Sequence, residues 1–207
     1  MTFQTWIAFS IAAAVVLVIP GPTIIAVVSH SLAHGRRAVV PLVIGVTLGD
    51  LTAMTLSLAG LGAVLAASAA LFSSLKVLGA VYLIYLGVKL WRSDPKTEAI
   101  GTGGEAVSGK SLLRGLFVIT ALNPKSIAFF VAFLPQFVNP SEQALPQLLV
   151  LGGTFLSLAA LNATLYALFS GHFRERARST RTLRWFNRCG GTALIGASLI
   201  TAAMRRS

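Results

Sequence analysis

Apolar residues run along this chain in long blocks, and they do not alternate with polar ones. Six blocks stand out, at 4–29, 39–64, 70–91, 112–136, 146–170 and 185–204. Each is about 20 to 26 residues long, enough for a helix to cross about 30 Å of hydrocarbon with some tilt. Inside a bilayer every backbone N–H and C=O needs a partner within the protein, so continuous apolar blocks of this length must be helices. The strands of an outer-membrane barrel would alternate apolar and polar residues, and these blocks do not. The pattern predicts an all-α polytopic membrane protein with six transmembrane helices.

Composition agrees with that pattern. Charged residues make up 11% of the 207 positions and mean hydropathy is +0.79, far from the balance of a soluble domain. The net charge of +11 would suggest nucleic acid on a soluble protein. Here the basic residues fall almost entirely between the apolar blocks, where they fix orientation, and no nucleic-acid partner is expected. Arg36 and Arg37 occupy the first loop, Arg92, Lys96, Lys110 and Arg114 the third, and Arg174 to Arg188 the fifth. The second loop carries no charge and the fourth only Glu142. Odd loops are therefore expected on the cytoplasmic side. Arg205 and Arg206 break the rule and leave a five-span arrangement open, in which the last block does not cross. The run from Phe3 to Ile19 has no preceding Lys or Arg and is longer than a usual signal core, so it reads as a retained first span. One cysteine, Cys189, and three histidines, His30, His34 and His172, offer neither a disulfide nor zinc-site spacing. His30 and His34 read as solvated residues at the cytoplasmic end of the first span.

The third loop is rich in Gly, Ser and Thr around Gly101–Gly104. It divides one transporter-like domain, 1–207, into half-repeats 1–92 and 111–207 joined by a linker at 93–110. The halves echo each other. Pro20-Gly21-Pro22 interrupts the first block, and Asn123-Pro124-Lys125 the fourth. Lys76-x-x-Gly79-x-x-x-Leu83 in the third block is matched by Asn187-x-x-Gly190-x-x-x-Leu194 in the sixth. Halves with an odd number of spans must lie upside down relative to one another, as in the inverted repeats of many secondary transporters.

The two breaks carry the candidate chemistry. Two prolines around Gly21 should open the helix, because each removes a backbone donor. The freed groups are tolerable only where they are buried in protein or line a cavity, and a helix restarting at Pro22 points free N–H groups into it. Lys125 lies too deep to snorkel easily, and a charge at that depth reads as functional unless it is paired. Asp50 is the only acid inside a predicted span. Ionised, it can meet Lys125 or a substrate ammonium; protonated, it can carry a proton across. The competing reading of both residues is a structural ion pair. Asn162, with Thr154 and Tyr166, polarises the fifth span, where interhelical hydrogen bonding is the ordinary role. Gly45 and Gly49 form a close-packing face. The candidate substrate or proton-coupling set is therefore Pro20, Gly21, Pro22, Asp50, Asn123, Pro124, Lys125 and Asn162. No H-E-x-x-H, G-x-S-x-G or nucleotide loop is present, so neither an enzyme nor a cofactor is expected.

At these same residues the chain resembles the LysE/RhtB family of bacterial amino-acid exporters. The resemblance rests on Pro20-Gly21-Pro22, on Gly45-x-x-x-Gly49-Asp50, and on Lys76-x-x-Gly79-Ala80-x-Tyr82-Leu83-x-Tyr85-Leu86-Gly87. It continues through Leu122-Asn123-Pro124-Lys125 and Phe133-Leu134-Pro135-Gln136-Phe137. It implies a multi-pass exporter of the bacterial inner membrane, driven by the proton gradient, with an amino acid and a proton as its small partners and the lipid bilayer around it. Basic amino acids, threonine, homoserine and leucine are all within the family's range. One buried acid and one buried lysine suit a neutral zwitterion. Export of a basic amino acid or small cation is the alternative, as is a non-transporting assembly subunit. Homo-oligomerisation is left open.

The charge pattern makes a prediction about topology. Single cysteines at positions 36, 96 and 178, on a Cys189→Ser background, should resist an impermeant maleimide in intact cells, whereas cysteines at 68 and 142 should react. External labelling at position 96 would overturn the orientation.

Overall fold

The computed structural model describes residues 1–67, 108–139 and 141–170, with isolated helical residues at 81, 84, 85, 88, 91, 92, 188 and 192. Among the described residues every regular element is helical. The third and sixth blocks lie almost wholly outside the described residues. So do the 93–110 linker up to its last residues, most of the fifth basic loop, and the paired Lys76 and Asn187 motifs.

Helix α1, Phe3–Val18, starts at Thr2, whose hydroxyl accepts the Thr5 N–H. It stops where Ile19 turns extended ahead of Pro20. Helix α2, Pro22–His34, restarts with Pro22 in its first turn, where a missing N–H costs nothing. Its end is set by Gly35, whose φ of 65° is left-handed backbone that favours glycine. A 3-10 turn at Gly35–Ala38 leads into helix α3, Val39–Ala67. Helix α4, Gly109–Ala121, is capped by Ser108. After Leu122 the chain restarts as the short helix α5, Pro124–Ala128, with Asn123 as its cap. It continues through a π-helical turn at Phe129–Phe133 and a 3-10 turn at Leu134–Phe137. Helix α6 spans Ala144–Leu168.

Pro22–Gly60 and Ala144–Leu168 are each long and apolar enough to cross a membrane. Gly109–Ala121 together with Pro124–Phe137, bent by 43° at the break, makes a third candidate span. The first apolar block is thus two helices, α1 and α2, broken at the proline pair. The turn at Arg36 and Arg37, read from sequence as a loop between spans, is a 3-10 turn that joins α2 to α3 and is entered through the left-handed Gly35. His30 and His34 are also helical and half-buried in α2. They are not solvated loop residues: their ring centroids are 6.0 Å apart, and the His34 Nδ1 lies 3.1 Å from the His30 carbonyl. The i, i+4 spacing stacks the two side chains on one helical face.

Two apolar clusters flank the first break. One joins Phe9 of α1 to Phe129 and Phe130 of the π turn and Phe155 of α6, with offset and edge-on ring contacts. The other joins Val27 of α2, Leu42 of α3, Leu116 of α4 and Ala163 of α6. Large apolar side chains such as Leu122, Leu149 and Leu161 face outward, as a lipid-facing surface requires.

Gly45 and Gly49 decide how closely α3 meets α4. A Cβ on Gly45 would stand 2.6 Å from the Leu113 carbonyl, and one on Gly49 2.6 Å from the Thr120 Cβ and 2.8 Å from the Phe117 carbonyl. Glycine here allows backbone-to-backbone approach, the usual source of helix affinity in a membrane. Gly49→Ala should therefore destabilise the purified protein by about 1–3 kcal/mol through overpacking. Gly153→Ala, at a position with nothing within 4 Å, should not. Equal melting temperatures for the two variants would contradict this packing.

Candidate intramembrane binding site

A helix leaves its last four carbonyls without intrahelical donors. For α1 these belong to Val16, Leu17, Val18 and Ile19. In a continuous helix their donors would be residues 20 to 23, but Pro20 and Pro22 have no N–H, and Ile19 already leaves the helix. Water cannot satisfy such groups in hydrocarbon.

The other half of the chain supplies all four. The Lys125 Nζ donates to the carbonyls of Ile19 at 2.9 Å and Val16 at 3.1 Å. The Asn162 Nδ2 donates to Leu17 at 3.1 Å, and the Tyr166 hydroxyl to Val18 at 2.8 Å. Asn162 and Tyr166 are one helical turn apart on α6, so a single face reaches both carbonyls. The lysine stem lies across Gly21, where a Cβ would sit 3.4 Å from Nζ.

The second break is tied to the first through Thr23. Asn123 is 2% exposed; its side-chain Oδ1 accepts the Lys125 backbone N–H at 3.0 Å, and its Nδ2 donates to the Thr23 Oγ1 at 3.0 Å. The Thr120 hydroxyl reaches the same oxygen at 3.3 Å. Pro124 occupies the first turn of α5. Seven of the eight residues named from sequence therefore meet around one junction: Pro20, Gly21 and Pro22 in the break, Asn123, Pro124 and Lys125 across from it, and Asn162 beside it.

Asp50 completes the set from α3. It is 3% exposed, its carboxyl faces the Ser126 hydroxyl, and it lies close enough to Lys125 for the two charges to act on each other. The two form no direct ion pair. Among the described residues the one ion pair joins the N-terminal ammonium to Glu142. The Asp50 Oδ1 has no hydrogen-bond partner among the described residues. Leaving a buried acceptor unsatisfied is costly, and such exceptions are few in a folded protein.

The electrostatics of the junction are bipolar. The carbonyl end of α1 carries the negative end of its helix dipole and the start of α2 the positive end of its own. Gly21 caps α2 without a side-chain hydrogen bond, so that end is free to face an anion. The junction can therefore take a cationic and an anionic group a short distance apart. Among the described residues no group of His, Cys, Asp and Glu is arranged to hold a metal ion.

Comparison with known proteins covers nearly the whole chain. The chain matches the family described as LysE type translocator over residues 14–203. It is 31% identical to the homoserine/homoserine lactone efflux protein of Salmonella typhimurium over 204 residues, covering 98% of each chain. It is 31% identical to the leucine efflux protein of Enterobacter sp. over 182 residues, 87% of this chain and 84% of that one. An uncharacterized membrane protein of Vibrio cholerae is 32% identical over 205 residues, 99% of this chain and all of the other. No solved structure matches.

The capping arrangement has a measurable consequence. Tyr166→Phe and Asn162→Leu should each lower stability by about 1–3 kcal/mol, the cost of leaving one buried carbonyl without its donor. Thermal unfolding in detergent checks this. Variants as stable as the wild type would mean that the Leu17 and Val18 carbonyls find other donors.

Proposed function

The chain belongs to the LysE type translocator family, and we propose that it is a secondary transporter that exports a neutral amino acid, such as homoserine, threonine or leucine, across the bacterial inner membrane in exchange for protons. The carrying observation is the bipolar junction at the α1–α2 break. An amino acid presents a carboxylate and an ammonium a few ångströms apart. The free start of α2 suits the carboxylate. The opposite side, with the α1 carbonyls and Asp50, suits the ammonium. A second ammonium, as in lysine, would meet no further acid, since Asp50 is the only one in the described helices. The Salmonella relative is named for homoserine and its lactone and the Enterobacter relative for leucine, none of which carries a second amino group.

In this reading six spans form two inverted three-helix repeats, with the breaks at Pro20-Gly21-Pro22 and Asn123-Pro124 as equivalent positions near the midplane. Asp50 carries the proton, since a buried carboxyl can cross the membrane neutral and release its proton on the other side.

Proteoliposomes loaded with radiolabelled L-homoserine or L-leucine test the proposal. Wild-type protein should export against a concentration gradient when a proton gradient is imposed. Asp50→Asn should abolish uphill export while leaving the protein folded and inserted, and Asp50→Glu should keep part of it. If Asp50 and Lys125 serve only as a structural pair, Asp50→Asn combined with Lys125→Met should restore wild-type rates, because buried pairs can often be replaced without loss. Full uphill export by Asp50→Asn alone would remove Asp50 from the coupling.

A further inference from the structure

Of the three side chains that cap the end of α1, one differs in kind. Asn162 and Tyr166 are neutral and each holds one carbonyl. Lys125 brings a primary ammonium and holds two, Val16 and Ile19. Two carbonyls at 2.9 and 3.1 Å around one nitrogen form a recognition site for an alkylammonium, whatever chain carries it. The site is occupied by a group on a flexible four-carbon stem that rests on Gly21, against no bulkier side chain. A second acceptor for the same ammonium stands nearby in the Asp50 Oδ1, buried and without a hydrogen-bond partner among the described residues. One ammonium thus has two places to go, and it fills only one of them.

We propose that the carbonyl pair of Val16 and Ile19 is the seat of the substrate's ammonium, and that Lys125 is a tethered competitor which holds this seat between transport cycles and yields it by swinging to Asp50. The inference rests on the reading of the chain as an amino-acid exporter and narrows where that substrate binds. It gives Lys125 two duties. While the site is free of substrate it keeps the carbonyls satisfied, which a membrane interior demands. When substrate arrives the two ammonium groups exchange, and the displaced lysine neutralises Asp50. Substrate occupancy is thereby linked to the charge state of the one acid in the described helices. Lys125 is then a specificity-determining residue that acts by competition.

The account makes an unusual expectation. Removing a binding-site lysine should tighten substrate binding, because a tethered competitor reduces apparent affinity by the fraction of time it holds the seat. In proteoliposomes, Lys125→Met should lower the half-saturating concentration of L-leucine or L-homoserine about tenfold. Lys125→Arg should raise it, because a guanidinium is permanently charged and holds the two carbonyls with a rigid fork. A purely structural cap predicts otherwise: Lys125→Arg near wild type, and Lys125→Met less stable with unchanged half-saturation. Unchanged or weaker binding by Lys125→Met would overturn the competition.

A second measurement does not depend on transport. Lys125→Ala leaves room for n-propylammonium, which reproduces the missing side chain from Cγ outward. Millimolar n-propylammonium should raise the melting temperature of purified Lys125→Ala and leave wild type unmoved, and n-propanol should do nothing. Failure of the amine to outperform the alcohol would overturn the ammonium seat itself. Should wild-type protein export no amino acid while the amine still rescues Lys125→Ala, the seat would stand and the proposed export function would fall.

Discussion

The structure turns on four backbone carbonyls. Pro20 and Pro22 remove donors that the end of α1 would otherwise use, and Ile19 leaves the helix before Thr23 could help. In water such an end would simply be hydrated. In hydrocarbon an unpaired carbonyl costs several kcal/mol, so the break can exist only if other side chains come to it. Lys125, Asn162 and Tyr166 do so, from α5 and α6. The first break therefore dictates much of the packing of the second half: α6 must present one polar face at a fixed height, and α5 must aim a lysine back across Gly21.

The second break follows from the same need. Lys125 reaches α1 because Asn123 and Pro124 end one helix and start another just before it. Asn123 caps the new helix and clasps Thr23 at once, so the two discontinuities are locked to each other. The close approach of α3 to α4, set by Gly45 and Gly49, brings Asp50 up to Ser126 and into the range of Lys125. Local chain interruption, glycine-mediated packing and intramembrane charge are thus one arrangement. A junction with negative and positive helix ends facing each other is a natural place for a zwitterion.

Much of this was legible in the sequence, for identifiable reasons. Proline cannot donate, so Pro20-Gly21-Pro22 and Asn123-Pro124 announced both breaks without any structure. Charges are expensive in lipid, so Asp50 and Lys125 stood out by type alone. The G-x-x-x-G spacing marked the face that meets α4. What could not be read is where long side chains point. Lys125 was weighed as a partner for Asp50, yet its ammonium reaches carbonyls of α1, and backbone oxygens leave no mark in a sequence. Tyr166 looked like an ordinary interhelical or interfacial residue; only its i, i+4 spacing from Asn162 hinted that both serve one purpose. Thr23, Thr120 and Ser126 were missed as participants, because small hydroxyl residues are common in membrane helices and carry no distinguishing signal. The π turn at Phe129–Phe133 was invisible for a similar reason: its aromatic run reads like any apolar helix.

The central claim is that the interruption of α1 is itself the working site. The most direct measurement heals it. Replacing both Pro20 and Pro22 with alanine restores two backbone donors and lets α1 run on into α2. Counterflow of radiolabelled L-leucine or L-homoserine in proteoliposomes should then vanish, while the variant inserts normally and melts no lower than wild type. Counterflow at the wild-type rate through a healed helix would show that the break serves the fold alone and that the substrate binds elsewhere.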